Sequence, residues 1–152
     1  MAPMNNRTPY NLPIALSLWC LLILFCFRVF AQLSTFFINV SWIPAFSQWH
    51  SAAMPYPILL LSQLAIIGFF LRIVWQFSNH TFKASSTQGV WFIRFGIIYF
   101  VVMLIRYLLG LTFFFELRWF TQTLPILFHF VLAGLVLLTG VAHVTQNTGI
   151  SR

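Results

Sequence analysis

Acidic side chains are almost absent from this chain: among 152 residues a single glutamate, Glu116, stands against eight lysines and arginines. One carboxylate cannot form an acid/base pair, a metal-binding acidic cluster or a phosphate-processing magnesium site. Only two cysteines occur, Cys20 and Cys26. Six residues put them about 600° apart on opposite faces of a helix, so they cannot pair within it and read as small hydrophobes. CxxC and cysteine–histidine metal signatures are missing, as are a Gly-rich phosphate loop, GxSxG and HExxH. GxxxG is missing too, which leaves tight homodimerisation by that route unsupported. The sequence points away from a stand-alone enzyme and names no cofactor.

What is there is apolar: 61% hydrophobic residues, 19% aromatics, 6% charged residues and a mean hydropathy of +0.92. Such a chain has too little polar surface to cover a water-soluble globule and reads as an integral membrane protein. The net charge of +7 does not indicate nucleic acid, because the basic residues are scattered singly and form no cluster to follow a phosphate backbone. The cations must instead be neutralised from outside the chain, with membrane lipids as the expected partners.

Four apolar runs, 13–38, 57–77, 90–115 and 121–143, each meet the ~20 residues that span a bilayer. Lipid cannot satisfy free backbone groups and the runs lack barrel-strand alternation, so the expected fold is an all-α four-helix transmembrane bundle in a single domain. A signal peptide is the competing reading of the first run, with Arg7 as n-region and Val29-Phe30-Ala31 as cleavage site. Apolar sequence resumes through Phe36, Phe37 and Ile38, which favours a signal anchor. Arg7, Arg72, Lys83, Arg94 and Arg152 fall on one side, and Glu116 and Arg118 on the other. That bias predicts cytoplasmic termini in a bacterial inner membrane, with Trp42, Trp49, Tyr56 and Trp119 as outer aromatic belt and Trp75 and Trp91 as inner belt. The uncharged outer loop 41–57 is expected to lie in the interface as a lid or docking surface. The inner connector 78–89 reads as an ordinary polar loop.

The halves resemble each other weakly. Arg28 precedes Leu33-Ser34-Thr35-Phe36-Phe37 and Trp42, as Arg106 precedes Leu111-Thr112-Phe113-Phe114-Phe115 and Trp119. A duplication would make two hairpins of the same orientation, with Arg28 and Arg106 at equivalent positions facing each other. Both lie ~20 Å below the outer belt, where a charge costs ~2.5 to 3.5 kcal/mol. Gln32 is one turn beyond Arg28 on the same face, Gln63 lies a turn or two inside Pro57, and His129 about one turn inside Pro125. The candidate site is therefore Arg28, Gln32, Gln63, Arg106 and His129, suited to a phosphate, carboxylate or quinone oxygen. The competing reading makes the same groups interhelical hydrogen bonds.

His129 and His143 share a helical face ~21 Å apart, a spacing similar to the histidine pair of b-type cytochromes. That resemblance covers two residues; His50 and His80 are poorly placed as facing ligands. From sequence alone the favoured role is non-catalytic: an accessory, anchor or assembly partner of a larger membrane complex. A module binding or transporting an anionic lipid or quinone-like molecule is the alternative, and an anchor carrying haem b on His129 and His143 the third reading.

Overall fold

Proline and serine set the helix starts. Pro13 sits in the first turn of α1 (Leu12–Phe37) and Pro57 in that of α3 (Tyr56–Ser78), positions where the missing N–H breaks no intrahelical bond. Between them lies the four-residue α2 (Phe46–Trp49). α4 (Ser86–Thr112) is capped by Ser85, whose side chain accepts from the Gln88 N–H. The short α5 (Arg118–Thr121) leads into α6 (Thr123–Ile150). The computed structural model describes residues 11–38, 44, 46–49, 55–114 and 116–150; Trp42, His50, Arg7 and Arg152 lie outside them. Among the described residues there is no strand, and α1, α3, α4 and α6 are each long and apolar enough to cross a membrane. The protein is an integral, multi-pass helical bundle.

Three boundaries differ by three residues or more from the apolar runs. The Ser85 cap starts α4 four residues before Val90, because polar Ser86 to Gln88 are satisfied by capping and need no burial. Its last turn ends at Thr112, so Arg106 stands six residues, or ~9 Å, from the helix end. α6 likewise continues past His143, with Gln146 buried. At the end of α3, the His80 N–H bonds Phe77 O and the Thr81 N–H bonds Gln76 O. With His80 at φ 57°, this is the left-handed helix ending usually made by glycine.

The helices pack in the order α3, α1, α6, α4: α6 makes its most extensive contact with α4, and α1 bridges α6 to α3. A pair of same-orientation hairpins would bring α3 against α4 as α1 meets α6, and no comparable packing is seen there. α4 buries a stripe of Gly89, Gly96, Arg106 and Gly110, leaving most of its apolar surface outward. Close approach requires the glycines. A Cβ on Gly140 would lie 2.9 Å from both Gly89 O and Ile93 N, and one on Gly89 would lie 3.0 Å from Gly140 O. The absence of GxxxG therefore hid a small-residue interface: its glycines are shared between two helices within one chain. Cys20 and Cys26 are free thiols.

Because backbone cannot yield as a side-chain tip can, Gly140→Val is expected to lose about 1–3 kcal/mol through overpacking. Gly68→Ala, with nothing within 4 Å of the added carbon, should be neutral or stabilising. Thermal melts of both variants in one detergent check the contrast.

Candidate functional site

Polar residues from all four long helices converge in the half of the bundle nearest the α1–α3 connection. Arg28 and Gln32 are buried on α1, Gln63 on α3 and Arg106 on α4, and His129 faces inward from α6. A cavity of about 210 Å³ is lined by Arg28, Ser62, Gln63, Tyr99 and His129, with Phe25, Trp49 and Phe128 among its apolar walls.

The Arg28 guanidinium carbon stands 5.4 Å from the Phe128 ring centroid, a cation–π contact that partly compensates its removal from water. Its Nε has no hydrogen-bond partner among the described residues. Gln63 Nε2 donates to Gln32 Oε1 at 3.3 Å, joining α3 to α1. The remaining atoms of that pair, Gln32 Nε2 and Gln63 Oε1, are buried with no partner among the described residues. On the far wall, the Tyr99 hydroxyl and His129 Nδ1 share a hydrogen bond between α4 and α6. Both side chains lie within electrostatic reach of Arg28 and Arg106.

Arg28, Gln63 and His129 thus line one cavity, with Gln32 behind Gln63. Arg106 is not in that lining, and its Nη1 reaches Met103 Sδ on its own helix at 3.9 Å. Glu116 is exposed in the turn after α4. The two α6 histidines face different surroundings. His143 Nδ1 accepts from the Ser85 N–H at 3.2 Å, and its ring packs against Phe82 and Phe92.

Two contributors escaped the sequence reading. Tyr99 precedes Arg106 by seven residues, close to two full turns, so the shared face was available as a signal. Trp49, expected in an interfacial belt, is instead buried against Phe128, with its indole N–H donating to Pro44 O at 2.8 Å. The Gln122 side chain donates to Ser47 O at 2.7 Å, tying α2 to the start of α6. The described part of the outer loop therefore contributes Trp49 to the cavity wall.

Gln63→Leu would strip Gln32 Oε1 of its donor. Interhelical bonds in membranes average only ~0.6 kcal/mol. Gln32 is fully buried, however, so the unsatisfied acceptor should dominate and the loss reach about 1–3 kcal/mol. The double variant Gln32→Leu/Gln63→Leu should recover most of it, which a double-mutant cycle of detergent melts would reveal.

No curated protein and no solved structure matches the chain. A family model, that of signal peptide peptidase, matches residues 39–149. The match begins after α1 and takes in Gln63, Tyr99, Arg106 and His129, leaving Arg28 and Gln32 before it. It overturns the non-catalytic accessory role expected from sequence, together with the transport-module and haem-anchor alternatives, because a peptidase family points to a catalytic role. The expectation failed because it was drawn from the scarcity of carboxylates in these 152 residues. By a match covering most of its length, the chain belongs to the signal peptide peptidase family.

Proposed function

We propose that this chain forms the peptide-holding part of an intramembrane peptidase centre, and that the slot between its four long helices receives an apolar segment of the signal-sequence class. A helix in lipid satisfies its own backbone, whereas a peptide bond about to be hydrolysed must leave the helix and expose its N–H and C=O groups. The observation that carries this reading is the set of buried polar atoms beside the cavity with no partner among the described residues: Arg28 Nε and Gln32 Nε2 as donors, Gln63 Oε1 as acceptor. Donors and an acceptor together suit an opened peptide backbone better than a simple anion.

Aspartyl proteolysis uses two carboxylates, which share one proton because neighbouring like charges resist joint ionisation. These 152 residues contain Glu116 as their one acid, on an exposed turn. A carboxylate pair at this centre would therefore need at least one acid from polypeptide outside them. Tyr99 and His129 would hold the wall opposite Gln63, and the aromatic surroundings would keep water scarce.

The test is photocrosslinking of a signal-sequence peptide bearing a benzophenone at its apolar centre to the purified protein in micelles. Labelling is expected in the slot and should fall about tenfold in Arg28→Met and Gln63→Leu, in line with ~1.5 kcal/mol per hydrogen bond to a buried group. Circular dichroism should stay unchanged. Equal labelling of the wild type and both variants would sink the proposal, and cleavage of the peptide by the purified chain alone would refute the need for an outside acid.

The same reading places the α3–α4 connection, with Arg72, Lys83 and Arg94 near it, on the cytoplasmic face of a bacterial inner membrane. In a Cys20→Ser/Cys26→Ser background, Lys83→Cys should resist an impermeant maleimide in intact cells and react after lysis. Labelling of intact cells reverses the orientation.

A further inference from the structure

α3 and α4 are consecutive in the chain, yet each packs chiefly on another helix, which leaves a groove of about 770 Å³ between them. That volume is within the roughly 300–1,000 Å³ of typical ligand pockets. The groove is distinct from the slot: it lies by the α3–α4 connection, and no residue lines both. Phe69 on α3 and Phe92 on α4 approach across it, with ring centroids 6.4 Å apart. Trp91 and Phe95 add apolar wall from α4. Two cations, Arg72 on α3 and Lys83 in the connection, line it, and no acidic residue does.

The lining is therefore amphiphilic. Arg72 is two turns and Lys83 five residues from the end of α3, so both cations belong to the headgroup zone. Phe69 and Phe95 lie further into the apolar spans. His143 closes the inner side. Its Nδ1 accepts the Ser85 N–H, which in the neutral ring leaves the proton on Nε2 as a donor.

We propose that this groove holds one anionic phospholipid, its phosphate between Arg72 and Lys83 and one acyl chain along Phe69, Phe92 and Phe95. Charge complementarity selects the class. Two cations with no lining carboxylate favour a net negative headgroup such as phosphatidylglycerol over a zwitterionic one. The groove's apolar length requires the acyl chain, which free phosphate lacks. The lipid would fill the gap that α4 leaves by docking on α6, and its binding does not depend on any peptide entering the slot.

Trp91 supplies the readout. The full chain in phosphatidylcholine nanodiscs is titrated with phosphatidylglycerol or phosphatidylcholine carrying dibrominated acyl chains, and quenching of Trp91 is taken as the difference between wild type and Trp91→Phe. Brominated phosphatidylglycerol should act at about fivefold lower mole fraction, the scale of a basic residue near a lipid phosphate. Arg72→Gln/Lys83→Gln should bring the two lipids level with circular dichroism unchanged. Equal quenching in the wild type, or a preference that survives in the double variant, overturns the proposal. So would loss of the preference on adding millimolar glycerol phosphate, which marks a headgroup-only site, or on adding an apolar signal-sequence peptide, which assigns the groove to peptide.

Discussion

α4 and α6 come into backbone contact at Gly89 and Gly140, and the arrangement of the polar groups depends on it. Lipid tails are as apolar as leucine, so the hydrophobic effect does little to choose which helices pair. Backbone contact does the choosing, because dispersion rises steeply when no Cβ holds two helices apart. With Gly140 against Gly89 and Ile93, and Leu137 against Gly96, α4 is fixed in rotation and height on α6. Tyr99, lying between Gly96 and Arg106 along the same helix, is thereby delivered to His129.

A second consequence is asymmetry. By committing its small-residue stripe to α6, α4 leaves α3 to pack on α1, and two unlike spaces open. One is smaller, with Arg28, Gln63, His129 and Trp49 in its wall; the other is larger, aromatic and edged with cations. Beside the smaller space lie Arg28 Nε, Gln32 Nε2 and Gln63 Oε1, buried with no partner among the described residues, a costly arrangement in low dielectric.

Much of this was legible beforehand in particular residues. Arg28, Gln32, Gln63 and His129 stood out because polar groups in long apolar runs must find company. Arg106 stood out for the same reason, but its helix ends sooner than hydropathy suggested and its side chain stays outside the cavity lining. Hydropathy marks how far a segment is apolar, whereas helix ends follow capping groups such as Ser85. Tyr99 and Trp49 were passed over because an aromatic with a polar tip is at home in the interface as well as in a core. Family membership was illegible for a different reason: a role in peptide hydrolysis is ordinarily read from a pair of carboxylates, and these residues hold a single acid, Glu116.

By itself the sequence determined that this chain lives in lipid as four spanning helices, since twenty apolar residues in a row have no other way to satisfy their backbone. It also determined that buried polar side chains would have to be reconciled with that setting. Only the tertiary structure decided which helices touch, that glycines seven residues apart on α4 meet α6, and that Gln63 pairs with Gln32 while Tyr99 pairs with His129. Those choices rest on contacts between residues dozens of positions apart, set by the shapes of helix surfaces, which hydropathy does not record.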